Sequence, residues 1–385
     1  MIPYGKQAIT TEDISSVVEI LQSEYLTQGP TVPLFEDKIA KYVHAKFAVA
    51  VNSATSALHL ACLALEVGPG SLVWTSPISF VASANCALYC GGSIDFVDID
   101  PKTYNISVQA LSKKLEFSKK NNCLPKVLIV VHLAGQSSDM QAIGKLSKRY
   151  GFKIIEDASH AVGAKYLNAY IGNCQYSDVT IFSFHPVKII TTGEGGMAVT
   201  NQEGLAKKMR LLRSHGITRE KNDFIGESRF SWGYEQQFLG FNYRLTDIQA
   251  ALGISQFNNI DANISARHSI AKIYDEALSS LPLVLPWQHP DSFSSYHLYI
   301  IKIDQEKTTH SRERIFNILR DSNVGVNVHY IPIHTQPYYR ALGFLEADFP
   351  NAMQYYKDAI TLPIFPALTK NDQIHVINVL MQALG

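Results

Sequence analysis

Val127-Leu-Ile-Val-Val131, a helix-length segment from Met140 to Tyr150, and Lys153-Ile-Ile155 read as one strand, helix and strand in succession. The first run carries no polar residue on either face, so both faces must be covered, as in a parallel strand with helices packed above and below it. The rhythm extends outward in both directions. Upstream lie Phe47-Ala-Val-Ala-Val51 with a helix from Ser56, Leu72-Val-Trp74 with a helix after Phe80, and Ile94-Asp-Phe-Val97. Downstream lie Val179-Thr-Ile-Phe182 and Met197-Ala-Val199. About seven strands alternating with helices predict an α/β fold with a mostly parallel sheet between helices, and ligands outside the carboxyl ends of its strands. Past residue 255 the pattern changes to long helices, Ala262 to Leu278 and Ser311 to Asp321, with few strands such as Tyr299-Ile-Ile-Lys-Ile303. The expected division is a large domain with the N-terminal segment over 1–254 and a small C-terminal α+β domain over 255–385, which suits a chain of 385 residues.

Composition narrows the function classes. Thirty-four Lys and Arg balance thirty-four Asp and Glu, so nothing draws the whole chain to nucleic acid or to acidic lipid. The apolar runs are about five to eight residues long, well short of the roughly 18 that span a bilayer. Cys62, Cys86, Cys90, Cys123 and Cys174 are odd in number and lack CxxC spacing, which points to free thiols in a reducing compartment and to neither disulfides nor zinc. Met1-Ile-Pro-Tyr-Gly-Lys-Gln7 has no basic flank leading into an apolar core, so a cytoplasmic location is expected. The phosphate-loop, zinc-protease, esterase and dinucleotide signatures are absent.

The chemistry gathers around the later strands. Asp157, in Glu156-Asp-Ala-Ser-His160-Ala161, follows the run Lys153-Ile-Ile155, and its carboxylate either caps a helix or holds a buried cation. The next strand ends in Ser183-Phe-His-Pro-Val-Lys188, and Thr191-Thr-Gly-Glu-Gly-Gly196 follows. A lysine in such an apolar, glycine-rich loop is partly desolvated, which lowers its pKa and makes the amine nucleophilic. Gly193, Gly195 and Gly196 allow close backbone approach or positive φ. A Schiff-base lysine for pyridoxal phosphate fits, provided three further elements are present: an anion for the pyridine nitrogen, a phosphate cup and a flat apolar surface. Asp157 is the candidate anion. Asn52-Ser-Ala54-Thr55-Ser56-Ala-Leu58, where a strand gives way to a helix, is the candidate cup, with Ser183 adding a hydroxyl. Phe80, in Ser76-Pro-Ile-Ser-Phe80-Val-Ala-Ser83, is the candidate surface. His329 and His334 suit no common helical face and read as pocket or structural residues.

These same stretches resemble the DegT/StrS-type sugar aminotransferases. The resemblance runs from Tyr25-Leu-Thr-Gln-Gly-Pro30 through Asn52 to Leu58, Gly240-Phe-Asn-Tyr-Arg-Leu-Thr-Asp-Ile-Gln249 and His329-Tyr-Ile-Pro-Ile-His334 to Leu362-Pro363. It implies a fold type I enzyme that uses pyridoxal 5'-phosphate, with pyridoxamine 5'-phosphate as the intermediate cofactor form. It makes Lys188 the Schiff-base residue, Asp157 the partner of the pyridine nitrogen, and His160 a neighbour of the ring's phenolic oxygen. Ala54, Thr55 and Ser183 would bind the phosphate, and Asn242 would reach the phosphate in the other subunit of a homodimer with shared sites. Family dehydratases have histidine in place of the lysine; here Lys188 is retained, which favours transamination. Within the family, Ile2-Pro-Tyr-Gly-Lys-Gln7, Ser23-Glu-Tyr-Leu-Thr-Gln-Gly-Pro30 and Val131-His-Leu-Ala-Gly-Gln136 resemble the pseudaminic acid branch, which aminates C4 of a UDP-linked 4-keto-6-deoxy-N-acetyl hexose. L-glutamate is the usual donor. Substrate contacts would then fall on Tyr4, on Glu24, Tyr25, Leu26 and Thr27, and on His329, Tyr330, Ile331 and Pro332. The alternatives are another nucleotide-linked keto sugar, TDP or GDP, aminated at C3 or C4, and a cofactor-binding regulator, for which no DNA-binding segment is found.

Overall fold

The computed structural model describes residues 1–226, 232–308 and 310–385. Its central sheet has seven strands: β1 (Phe47–Val51), β2 (Leu72–Thr75), β3 (Ser93–Phe96), β4 (Val127–Val131), β5 (Lys153–Asp157), β6 (Val179–Ser183) and β7 (Gly196–Thr200). They lie in the order β1-β7-β6-β5-β4-β2-β3, and only β7 runs against its neighbours. The remaining pairs, from β6 through β5, β4 and β2 to β3, are parallel. Residues 127–130 of β4 are fully buried, as the absence of alternation requires.

The helix that follows β1 spans Ala54–Ala64, starting before the expected Ser56, because the extended Ser53 is its cap and accepts from the Ser56 N–H at 3.1 Å. Eight of the eleven residues of this helix are buried, since it lies on the sheet between neighbouring helices. Gly196 explains how it fits so closely. In register, Gly196 stands opposite Val51 on one side and Ser183 on the other. A Cβ there would come within 2.5 Å of the Ala54 nitrogen, so only glycine lets the start of the helix settle onto the strand ends.

The second domain has a three-stranded antiparallel sheet, Leu283–Val284, Tyr299–Ile303 and Ala359–Leu362, and its core includes side chains of the helices Arg312–Asp321 and Lys370–Leu384. The expected division at 254/255 falls within the helix Asp247–Phe257. The two cores meet along Ile260–Leu278: Ile260 and Ile264 pack with Phe35 and Phe184, whereas Ile270, Tyr274 and Leu278 pack with Tyr299 and Ile360. Of the first residues, Ile2 packs against the second core and Tyr4 against the first. Ile2 N–H donates to the Asn323 carbonyl and Ile364 N–H donates to the Tyr4 carbonyl. No helix among the described residues is long and apolar enough to cross a membrane.

Candidate active site

The carboxyl ends of β1, β4, β5 and β6 open on a cavity of about 860 Å³, closed on its far side by Tyr4, His297 and residues 327–330. Asp157 is the last residue of β5, and no helix begins after it, so the capping role is excluded. Its Oδ1 accepts from Ser159 Oγ at 2.6 Å and Ser159 N–H at 3.2 Å; its Oδ2 accepts from Ser83 Oγ at 2.6 Å. Ser79 Oγ lies 2.7 Å from Ser83 Oγ and extends the chain of hydroxyls. These hydrogen bonds fix the direction of the carboxylate, which lines the cavity.

At the other end of the site, the N–H groups of Ala54 and Thr55 open the helix Ala54–Ala64, and among the described residues neither has an acceptor. Unpaired N–H groups in the first turn favour an anion. Ser56 Oγ, donating to Asn52 Oδ1 at 2.7 Å, and the half-buried Ser53 complete the polar wall with Ser183 from the end of β6. Phe80, 58% exposed, presents its ring to the cavity 6.3 Å from that of Tyr330.

Lys188 lies in the loop between β6 and β7, its Nζ 3.5 Å from His297 Nε2. Burial lowers its pKa to about 8, against the opposing pull of Asp157. The surrounding imidazoles are neutral. Burial holds His160 well below the usual histidine range, and Lys188 and His329 add to the effect. Burial and Lys188 lower His329 to about 3. The His160 tautomer follows from its contacts: Nδ1 accepts from the Ala134 N–H at 3.2 Å, so the proton sits on Nε2, which donates to the Tyr330 hydroxyl at 3.0 Å. An anion cup formed by a helix start, a buried carboxylate, a lysine that titrates low and an exposed ring between them match the three demands of pyridoxal phosphate.

Ten of the residues singled out in the sequence line this one cavity: Tyr4, Ala54, Thr55, Phe80, Asp157, His160, Ser183, Lys188, His329 and Tyr330. Others do not reach it within the chain. Glu24, Tyr25, Leu26 and Thr27 are exposed and run along the start of the helix Asp247–Phe257, with the Leu26 carbonyl accepting from the Asp247 N–H. Ile331 is exposed, and Pro332 is buried away from the cavity where the chain turns so that the Ile333 N–H meets the Pro77 carbonyl. Asn242 is exposed and bridges to Ser214. His334 is structural, packed against Phe96 and Phe349. Ser83 and His297 contribute to the site although no sequence motif marked their roles.

Comparisons with known proteins show the family. Residues 7–381 match the DegT/DnrJ/EryC1/StrS aminotransferase family. The spore coat polysaccharide biosynthesis protein SpsC of Bacillus subtilis is 40% identical over 379 residues, 98% of this chain and 95% of that protein. Helicobacter pylori PseC, an aminotransferase involved in the biosynthesis of pseudaminic acid, is 32% identical with a TM-score of 0.90 over 100% of this chain and 99% of its own. The sugar aminotransferase Spr1654 of Streptococcus pneumoniae, described as putative and solved in its pyridoxal phosphate form, is 28% identical with a TM-score of 0.88 over 100% of both chains. The chain therefore belongs to the DegT/DnrJ/EryC1/StrS aminotransferase family, and it is a pyridoxal-phosphate-dependent sugar aminotransferase.

Proposed function

We propose that the enzyme transfers an amino group from L-glutamate to the C4 ketone of a UDP-linked 4-keto-6-deoxy-N-acetyl hexose. The observation that carries this reading is the whole-chain likeness to PseC. Tyr4, His329 and Tyr330 gather at the wall facing the strand ends, with the Tyr4 and His329 rings 5.0 Å apart. In this reading Lys188 is the Schiff-base residue, Asp157 faces the ring nitrogen, and His160 lies by the ring. Ala54, Thr55 and Ser183 hold the phosphate, and Phe80 covers the ring. Bound here, pyridoxal phosphate supplies an electron sink and a carrier for the amino group. Lys188 Nζ takes up and returns the proton at the substrate carbon that loses or gains nitrogen. The five cysteines, all free, suit a reducing cytoplasm.

The test is to offer UDP-, TDP- and GDP-linked keto sugars with glutamate and to locate the new amine by NMR. Amination at C4 of the UDP sugar is expected. Amination at C3, or preference for a TDP or GDP sugar, would overturn the substrate assignment. The likeness to SpsC favours such a second reading, a keto sugar destined for a surface polysaccharide.

The working unit in this reading is a homodimer with shared sites. Two features support it: the exposed Asn242, and an apolar stripe of Ile14, Val18, Leu21 and Tyr25, each more than 40% exposed along and just beyond the helix Thr11–Leu21. Mixing inactive Lys188→Ala with inactive Asn242→Asp should return part of the activity, because half of the sites in each mixed dimer are then intact. No recovery from subunits shown to exchange would place both residues in one chain's site.

A further inference from the structure

His297 stands just ahead of the strand Tyr299–Ile303 and reaches across from the second domain to Lys188. It is 4% exposed, its Nε2 lies 3.5 Å from Lys188 Nζ, and its ring is centred 4.4 Å from that of His160. Its other nitrogen, Nδ1, is buried and has no hydrogen-bond partner among the described residues. Folded proteins rarely leave such an atom unpaired without a functional reason. The ring is also fastened. The buried guanidinium of Arg267 donates from Nη1 to the carbonyls of Tyr296 and His297, both at 3.2 Å, and to that of Ile364 at 2.9 Å. The backbone that carries the ring is therefore clamped from behind.

We propose that His297 is a positioning residue for the Lys188 amine, holding it by a hydrogen bond to Nε2 whenever that amine is not bonded to the cofactor. This rests on the reading of Lys188 as the Schiff-base residue. A transaminase lysine must be released during each turnover and must then return to the same place, and a flexible four-carbon stem does not ensure this. His297 supplies a fixed point. With the ring proton on Nδ1, the Nε2 lone pair accepts from the Lys188 ammonium and equally from an N–H of the neutral amine. The ring therefore keeps one tautomer and neither gains nor loses a proton in either case.

The charges around the pair keep that proton on the lysine. Burial holds His297 well below the usual histidine range, and Lys188, His160, Arg267 and His329 add to this. Asp157 pulls the other way on Lys188, favouring its ammonium. The phenol of Tyr330, raised by burial, stays protonated beside them. An acceptor that remains neutral stabilises the ammonium without competing for its proton.

The experiment follows capture of added pyridoxal phosphate by the cofactor-free full-length chain across pH 6 to 10, with borohydride quenching and peptide mapping. Capture requires the neutral amine, so its rate reports both the titration and the placement of Lys188. Wild type should carry the label on Lys188, with an inflection near 8, where burial places the amine. In His297→Leu the inflection should move down by about half a unit to one unit, because the ammonium has lost its acceptor. The plateau rate should fall about tenfold, because the amine is no longer held in place. His297→Gln, which keeps a polar atom near the Nε2 position, should restore both, and His297→Asn, which falls short, should not. The Gln and Asn variants preserve polarity and keep the test available if the Leu variant fails to fold. Label on Lys188 with the same inflection and plateau in wild type and in His297→Leu, or in Gln and Asn alike, would overturn the role of His297 while leaving that of Lys188 intact. Label on another lysine in wild type would overturn the reading of Lys188 itself.

Discussion

Replacing Lys188 by alanine is expected to lower transamination by about four orders of magnitude, because in the proposed reading one atom, Nζ, serves as covalent anchor, base and acid. The rest of the site should still bind cofactor. The anion cup at Ala54 and Thr55, the Asp157 carboxylate and the Phe80 ring owe nothing to the lysine for their placement. The variant should therefore purify with noncovalent cofactor that borohydride does not fix to the chain, whereas wild type should be labelled on Lys188 alone. Added methylamine should return a small part of the activity by replacing the missing base. Near-normal turnover, or label on any other lysine in wild type, would refute the assignment. The pH dependence has a definite sign. With burial lowering the free amine to about 8, the neutral fraction and hence cofactor capture rise as pH climbs through that value and then level. The cofactor-free fold should gain stability in the same direction. Between about 8 and the ordinary lysine value near 10.4, the unfolded chain binds more protons than the folded one, so stability increases with pH across that window.

Lys188 and Asp157 stood out in the sequence because each lies at or after the end of a short β-rich run, and strand ends are where a parallel sheet presents its ligands. His297 was not. A single histidine ahead of Leu298-Tyr-Ile-Ile301 reads equally well as a core residue, and its place beside Lys188 depends on how the second domain packs 109 residues further along the chain. Ser83 lay within a quoted segment, but a serine in the first turn of the helix Ala82–Tyr89 gives no sign that its hydroxyl crosses to β5. The direction of β7 is also invisible to an apolar count. Residues 184–195 contain no helix to carry the chain back across the sheet, so β7 pairs antiparallel with β6 and the lysine loop forms their connection. The start of the helix Ala54–Ala64 was ambiguous because Ser53, Thr55 and Ser56 are all plausible caps. The change of core along Ile260–Leu278 is not visible in the sequence, because the helical periodicity continues unchanged while the core beneath it changes.

Asp157→Asn should lower kcat on the order of a hundred- to a thousand-fold, the range seen when one preorganised electrostatic group is removed. The substitution keeps size and shape, and Ser159 and Ser83 can reorient their hydroxyls toward an amide, so the fold is preserved. What is lost is negative charge. In the proposed reading Asp157, the buried carboxylate of the cavity, faces the ring nitrogen and its charge would hold a proton there; an amide cannot. Without that proton the ring withdraws electrons poorly, and Lys188 must pull a proton from a carbon that is much less acidic. The loss should therefore appear in kcat and in a larger isotope effect with α-deuterated glutamate, with cofactor content unchanged, since the phosphate cup and Lys188 remain. A cofactor analogue methylated on its ring nitrogen carries the positive charge without needing a proton, and it should restore part of the variant's activity. If Asp157→Asn turns over at close to the wild-type rate, or if the methylated analogue gives no recovery in a fully loaded variant, the carboxylate does not act through the ring nitrogen and its three hydrogen bonds would mark a structural role alone.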